Sequence, residues 1–368
     1  MRIFLNILAV TVLALPIARA SQNPSSAPLR VAIIGLVHGH VAGFLGPALK
    51  RSDIQIVGIA EPDQQLAHRY ASQFHLNPQL LYTDAEQMLT KVQPQAVLLY
   101  TNTRDHRPMV EMAARHHITV MMEKPLAVST EDALAIQRAA DGTHISVLVN
   151  YETTWYPSNN AVYQLVREGA LGDIRKVVVH DGHQGPKEIG VPPEFLDWLT
   201  DPVRNGAGAL FDFGCYGADL MTWLMNGEAP LTVTAVTQQI KPEIYPHVDD
   251  EATVILTYPH AQAILQASWN WPFDRKDMEV YGATGQAITV RRDSLRVRRK
   301  SQDHEQLQTP PSLAPPNNDP ISYLIAVVNG ELEPTGLSAL DTNVTVVRIL
   351  DAARESALTG RTIQLAGR

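Results

Sequence analysis

Three stretches of this chain carry residue types that could serve one chemistry. Glu123-Lys124-Pro125 places an ammonium at a turn, and the later run Gly206-Ala207-Gly208-Ala209-Leu210-Phe211-Asp212-Phe213-Gly214-Cys215-Tyr216 supplies a carboxylate and a phenol. Ahead of both, the glycine-bearing turn Gly35-Leu36-Val37-His38-Gly39-His40 follows an apolar run, and Glu61 ends the next one. A lysine, an aspartate and a phenol collected beside a nucleotide are the parts of a hydride-transfer site. The ammonium polarises a carbonyl or stabilises an alkoxide, and a positioned acid or base handles the hydroxyl proton. The Glu-Lys-Pro tripeptide alone means little; its place in the order of elements gives it weight.

Those elements read as alternating strands and helices. Leu29 to Ile34, Ile54 to Ala60, Ala96 to Tyr100, Thr119 to Met122 and Ile145 to Val149 are apolar strand runs. Between them Val41 to Lys50, Gln64 to Phe74 and His106 to His116 have helical patterns, and Thr83-Asp84-Ala85-Glu86 has the form of a capping box. Such alternation implies a parallel, doubly wound sheet whose ligands lie beyond the carboxyl ends of the strands. The residues to inspect are therefore Gly35 to His40, Glu61, Thr101-Asn102-Thr103 and Glu123-Lys124-Pro125.

The glycine turn is a degraded dinucleotide fingerprint. Gly35 serves the tight turn, Val37 replaces the glycine that lets backbone approach a pyrophosphate, and Gly39 falls one place early. Alone, it fits a nucleotide site or a mere strand-to-helix corner. Glu61 stands where a carboxylate would accept from a ribose 2′-hydroxyl and repel a 2′-phosphate, which favours NAD over NADP with NADP still possible. The same residue also reads as a solvated turn acid beside Pro62.

Beyond residue 150, strand-like stretches succeed one another without helices: Lys176 to His180, Thr232 to Ile240, Ala252 to Tyr258, Ala263 to Trp269, Met278 to Tyr281 and Ala287 to Val290. They argue for an antiparallel sheet. Ser312 to Asp319 should be a surface loop, and Val344 to Thr359 a closing helix. If Asp212 to Trp223 is one helix, Asp212, Tyr216 and Asp219 share a face.

A chain of 368 residues suggests two domains, and its 45% hydrophobic and 18% charged content is that of an ordinary globular protein. The net charge of −8 argues against nucleic acid. Residues 1–20 have the form of a signal peptide: a basic start, an apolar run from Ile3 to Ile17 and the small-residue site Ala18-Arg19-Ala20. Export to the periplasm or beyond is expected, with no stable membrane insertion after cleavage. The single cysteine, Cys215, forms no internal disulfide and reads as a small buried hydrophobe. The thirteen histidines show no metal-ligand spacing on a recognisable helix, and Asp249-Asp250-Glu251 reads as a surface feature at a strand start, so no metal is expected.

Taken together, Val31 to Gly35, Glu61-Pro62-Asp63, Thr101-Asn102 with His106, Glu123-Lys124-Pro125-Leu126, Glu168 to Ile174, Gly206 to Asp219 and Tyr281-Gly282-Ala283-Thr284-Gly285 resemble the glucose–fructose oxidoreductase/inositol dehydrogenase (Gfo/Idh/MocA) family. The resemblance implies a Rossmann NAD(P)-binding domain over residues 29–150. An α+β substrate and oligomerisation domain with a large, mostly antiparallel sheet follows over 151–368, so the fold class is α/β. It places Lys124 beside the nicotinamide and the reacting hydroxyl, and Asp212 at the second active-site position. Tyr216 stands where dehydrogenase members commonly have histidine. A phenol ionises near pH 10, so it needs a cation such as Lys124 to act as a base near neutrality. The cofactor residues implied are Gly35, Val37, His38, Gly39, Glu61, Thr101, Asn102, His106, Glu123 and Lys124, with Tyr151, Asp212 and Tyr216 facing substrate. Trp155, His180, His183 and Trp198 could give stacking surface for a sugar ring or be core residues.

The expected activity is NAD(P)-dependent oxidation or reduction of a sugar, cyclitol or related polyol. Two alternatives stand beside it. One is an enzyme retaining its nucleotide through epimerisation or oxidation-assisted glycoside elimination. The other is a carbohydrate-binding protein on the same fold, favoured by Val37. A homo-oligomer is possible.

Overall fold

The computed structural model describes residues 27–365; the expected signal peptide lies outside the described residues. The amino-terminal part runs β1 (Leu29–Ile34), α1 (Val41–Ala48), β2 (Ile54–Ala60), α2 (Gln64–Phe74), β3 (Leu81–Tyr82), α3 (Ala85–Val92), β4 (Ala96–Leu99), α4 (His106–Arg115), β5 (Thr119–Glu123), α5 (Thr130–Thr143) and β6 (Val147–Asn150). The six strands form one parallel sheet in the order β3-β2-β1-β4-β5-β6. β1 is apolar on both faces, as a strand covered on both sides must be. Val31 and Ile33 pack with Leu45 and Leu66 on one face, while Ala32 and Ile34 pack with Val110 and Ile136 on the other. The strand order reverses between β1 and β4, and there the carboxyl ends open a crevice for ligands.

Helix starts follow side-chain chemistry. Asp63 caps α2 through the amides of Gln65 and Leu66. Asp84, not Thr83, caps α3: its carboxylate accepts from Gln87 N at 2.6 Å, displacing the expected Thr83 capping box by one residue. The two-residue β3 escaped the sequence reading because it is too short to show alternation.

The carboxyl-terminal part contains α6 (Pro157–Arg167), β7 (Ile174–Gly182), α7 (Pro193–Leu199), α8 (Pro202–Asn205), α9 (Ala209–Asp212), α10 (Gly214–Leu224), β8 (Thr232–Gln238), β9 (Glu251–Thr257), β10 (Gln262–Ser268), β11 (Arg275–Gly282), β12 (Gly285–Arg291), β13 (Ser294–Arg299), β14 (Gln306–Gln308), α11 (Pro320–Val328), α12 (Leu340–Thr359) and β15 (Ile363–Gln364). Nine strands form a mixed sheet, β14-β13-β12-β11-β7-β10-β9-β8-β15, in which only β7–β10 pair in parallel. Val177, Val179, Val254, Leu256, Ala263 and Leu265 are buried on its inner face. Its outer face alternates with half-buried residues, as a one-sided sheet should. α11 returns to the first domain, where Ile321 and Leu324 pack with Val31 and Leu98.

Two sequence expectations are corrected here. Asp249 and Asp250 are anchors, not surface acids. Asp249 accepts from Gly208 N and Leu210 N, and fully buried Asp250 accepts from Ile240 N and Lys241 N. Nor do Asp212 and Tyr216 lie on one helix. α9 ends at Asp212 and α10 starts at Gly214, because the chain breaks at Phe213. Gly208 is required where it stands: a Cβ there would overlap the Asp249 carbonyl. Gly208→Ala is expected to lower stability by about 3 kcal/mol, since rigid backbone must give way. Gly43→Ala, in open space on α1, should not destabilise; thermal melting of the two variants checks the pair.

Candidate active site

Gly35 ends β1 with φ +83°, and a Cβ there would lie 2.7 Å from Thr101 Cγ2 and 2.9 Å from backbone of Tyr100 and Thr101. Only glycine fits both the angle and the space. Glu61 locks the same turn. Its Oε2 accepts from Leu36 N at 2.7 Å and its Oε1 from Asp63 N at 2.9 Å. Burial raises its carboxyl above the usual range against those amide bonds. Glu61 is therefore a buried turn-holding acid, not a solvated one. Each oxygen keeps a second lone pair for a hydroxyl.

Between the turn and the crevice lies α7. Trp198 Nε1 donates to Val37 O at 3.2 Å, and the Phe195 ring covers Gly39, where a Cβ would meet it at 2.8 Å. His38 is enclosed by Phe195 at 4.7 Å and Trp198 at 5.5 Å between centroids. Glu194 ties α7 to α2 by an ion pair with Arg69. Burial pulls the His38 imidazole well below its usual pKa, so this ring is neutral.

Thr101, Asn102 and His106 build the adjacent loop. The Thr101 hydroxyl donates to Asn102 O at 3.1 Å, and the Asn102 side chain accepts from Asp105 N and donates to Asp105 Oδ2. His106 is buried with Nδ1 near Pro125 O at 3.1 Å, and its Nε2 has no partner. The end-of-strand residues thus fit a dinucleotide at its adenosine end through Gly35 and Glu61. They fit its nicotinamide end through Lys124 and the unpartnered His106 Nε2. Between those ends the Val37–Gly39 stretch, where the fingerprint would seat a pyrophosphate, is covered by the Phe195 and Trp198 rings.

Lys124 lies at the centre, 5% exposed. Its Nζ donates to Asp212 O at 2.8 Å and to Asp212 Oδ1 at 2.5 Å, while Trp269 Nε1 donates to Asp212 Oδ2 at 2.9 Å. Burial works against Asp212 ionising, yet Lys124, His183 and the Trp269 bond hold its carboxyl at about 2. Burial likewise opposes the ammonium, and Asp212 beside it keeps the Lys124 pKa above its ordinary value. Nζ also sits 5.0 Å from the Tyr216 ring centroid, with Lys276 Nζ at the same distance. Burial and the neighbouring Cys215, Glu152 and Asp212 push the Tyr216 phenol well up. The Tyr216 phenol therefore stays protonated here, able to donate a hydrogen bond rather than to serve as the base that a nearby lysine might have made it.

Tyr151 points into the core toward Asn343 rather than into the cleft. It is fully buried, its hydroxyl donates to Asn343 Oδ1 at 3.0 Å, and its ring meets Tyr216 edge-on at 5.3 Å. The chain turns after β6 so that Asn150 and Glu152, not Tyr151, reach the cleft; both line its cavities. Asp219 is buried with neither carboxylate oxygen partnered.

The structure adds residues that the sequence did not single out. Trp269 fixes Asp212. Lys276, paired with Glu152, covers Tyr216. Asp181 stands opposite Lys276 in the β7–β11 register, fully buried with Oδ1 unpartnered. A polar residue at an inward position of an otherwise apolar strand was the available signal. His183, which the sequence offered as stacking surface or core, meets Phe213 edge-on at 4.8 Å, and its Nδ1 accepts from Gly185 N at 2.9 Å, leaving Nε2 for a ligand. Beyond the Lys276–Glu152 pair opens a cavity of about 510 Å³ lined by Tyr156, His183, Arg275 and Arg292.

The Lys124–Asp212 pair carries a pH signature. Asp212 titrates at about 2 in the folded protein against an ordinary 3.8, so its stabilisation is full above about pH 4 and is lost as pH falls through 2. The unfolding free energy of the wild type, from urea titrations, should fall over that window by on the order of 2 kcal/mol in excess of the trend in Asp212→Asn. Parallel acid trends in both proteins would show that the pair is not ionised.

Residues 29–151 match the model of the oxidoreductase family, NAD-binding Rossmann fold, and residues 159–288 that of the GFO/IDH/MocA C-terminal domain. The trans-1,2-dihydrobenzene-1,2-diol dehydrogenase of Macaca fuscata fuscata is 24% identical over 226 residues, 61% of this chain and 63% of that protein. The match thus spans less than two thirds of that relative's length. The D-apiose dehydrogenase of Paraburkholderia graminis is 24% identical over 329 residues, 84% of this chain and 83% of the relative. The same fold occurs in the aldose-aldose oxidoreductase of Caulobacter crescentus solved with glycerol (TM-score 0.77, 21% identity, 92% of this chain and 99% of that one). It occurs also in an inositol dehydrogenase homolog of Azotobacter vinelandii solved with NAD+ (TM-score 0.79, 19% identity, 92% and 98%).

Proposed function

Since the chain belongs to the Gfo/Idh/MocA family of oxidoreductases, with that family's NAD-binding Rossmann domain, we propose that it interconverts a secondary hydroxyl and a carbonyl on a sugar, cyclitol or related polyol. NAD, when bound, supplies the hydride acceptor or donor. The observation that carries the reading is the state of Lys124. An ammonium has three protons, and two of them are held by Asp212 O and Oδ1. The third is left for a substrate oxygen. Because Asp212 keeps Lys124 charged, the resting site is set to donate a proton to a carbonyl oxygen as it gains hydride. Oxidation of an alcohol requires that proton to come back onto Nζ, so it starts from the less stable neutral amine. Trp269 fixes Asp212, and the Tyr216 phenol offers a second hydrogen bond to the same oxygen or its neighbour. His183 Nε2 and Lys276 face the cavity from which the substrate enters.

A second reading draws on α7. A dinucleotide that entered once Phe195 and Trp198 moved aside would be enclosed if those rings closed back over it, which favours retention through an internal oxidation and reduction, as in epimerisation or elimination. Retention also suits a protein exported by the signal-like residues 1–20, since free nicotinamide cofactor is scarce outside the cytoplasm. The binding-protein reading rests on Val37 and on the covered turn. It gives no reason for the Lys124–Asp212–Trp269 network.

The test is a panel of aldoses, D-apiose, myo-inositol and 1,2-diols incubated with NAD+ and, as their carbonyl forms, with NADH. Absorbance follows the nucleotide and mass spectrometry the sugar. Turnover with matched nucleotide change supports the first reading, and sugar conversion without it the second. Conversion of nothing under either condition counts against both.

A further inference from the structure

We infer that His38, His40 and Glu123 bind one divalent first-row metal ion of the Zn2+ class at the carboxyl ends of β1 and β5. His38 and His40 lie in the turn between β1 and α1, and Glu123 is the last residue of β5. One candidate ligand atom from each lies within 4.8 Å of the other two. His40 Nδ1 and His38 Nε2 approach the same oxygen, Glu123 Oε2, at 3.0 and 4.0 Å. Tetrahedral ligands on bonds of about 2.0–2.1 Å stand about 3.3 Å apart, so these separations bracket what such an ion needs. The remaining oxygen, Glu123 Oε1, accepts from Asn150 Nδ2 at 3.3 Å, an outer hydrogen bond of the kind that orients a ligating carboxylate.

The surroundings give the site a dry floor and one open side. The His38 and Glu123 side chains are 2% and 3% exposed, while that of His40 is 48% exposed. His40, Glu123 and Asn150 line a cavity of about 810 Å³ that supplies an entry path. Two imidazoles and one carboxylate are the donor set of a borderline metal ion, and three protein ligands with a free position are the pattern of a reactive rather than a closed structural site. A water, hydroxyl or carboxylate oxygen of a cavity ligand completes the coordination. The search for helical histidine spacing missed the set because both rings stand on a turn and the carboxylate is distant in sequence.

Two bonds oppose the ion. His40 Nδ1 donates to Glu123 Oε2 at 3.0 Å, so ligation must move that proton to Nε2. His40 N–H donates to His38 Nδ1 at 3.2 Å, which leaves the ring proton of His38 on Nε2. Ligation moves that proton to Nδ1 and opens the bond, so affinity should fall below that of preformed zinc sites.

The experiment counts metal without any nucleotide, so its outcome is separable from that of the oxidoreductase reading. Chelator-stripped full-length protein is equilibrated with micromolar Zn2+, desalted, and assayed by plasma mass spectrometry; Co2+ loading is followed by visible absorption. The expected result is about one Zn2+ per wild-type chain, background levels in His40→Ala, and binding at least about tenfold weaker in Glu123→Gln. Co2+ should give d–d bands that His40→Ala lacks. His40 is half-exposed at a helix start, so its variant should fold. His68→Ala, on the exposed side of α2, is the control and should keep the ion. No stoichiometric zinc on the wild type, or equal zinc on wild type and His40→Ala, overturns the inference.

Discussion

Lys124→Ala is expected to reduce turnover by roughly 10³-fold while leaving nucleotide affinity within a few-fold of wild type, because the lost group acts on the substrate oxygen. It should also destabilise the fold. Asp212 would remain a buried carboxylate with the Trp269 hydrogen bond and nearby His183 to hold it, at a cost of about 3–5 kcal/mol. The double variant Lys124→Ala/Asp212→Asn separates the two effects, since removing both charges should restore most of the stability and none of the turnover. Steady-state kinetics with the substrate found in the panel and urea unfolding of all three variants give the comparison. Near-normal turnover in Lys124→Ala would remove the lysine from the chemistry.

Phe195→Ala and Trp198→Ala are expected to act in the opposite sense on the nucleotide. Both rings lie over the glycine turn, so on this account a pyrophosphate there binds only molecules in which they have moved aside. Apparent affinity falls by the fraction of molecules that are competent, so removing a ring should tighten NAD binding by roughly tenfold and speed its association. Stability should fall by about 3–5 kcal/mol for each, as for other buried aromatic truncations. Stopped-flow fluorescence with NAD+ reads the rates. Slower association or weaker binding in both variants would mean that the rings form part of the bound site rather than its cover.

Most of the fold was legible because its strands are long, apolar and punctuated. Leu29–Ile34 stops at Gly35 and Ile54–Ala60 at Glu61-Pro62, and both fall where the sequence puts them. The second sheet was legible from alternation, apart from its outermost strands β13 to β15, which are polar or very short. Lys124 and Asp212 meet as the family pattern implies. What sequence could not show was direction and cover. Tyr151 follows a strand as a cleft residue would, yet it points into the core toward Asn343. Asp212 and Tyr216 have helical spacing, and the break at Phe213 that separates them leaves no mark in an apolar run. Phe195 was not singled out in the sequence, and Trp198 read as sugar-stacking surface or core, whereas a helix distant in sequence lays them on Gly39 and Val37. Tyr216 as a base failed for an energetic reason: the cation meant to lower its pKa is already committed to Asp212, and burial pushes the phenol up.

The most direct measurement is of nucleotide on the purified protein: acid release and mass spectrometry of what is bound, followed by calorimetric titration of the remainder with NAD+ and NADP+. Bound NAD, or NAD+ binding more tightly than NADP+ with that preference lost in Glu61→Ala, is the expected result. Failure of either dinucleotide to bind the wild type and the Phe195→Ala and Trp198→Ala variants would contradict the account. The turn would then be a closed corner, and Lys124 and Asp212 would have no hydride to accompany.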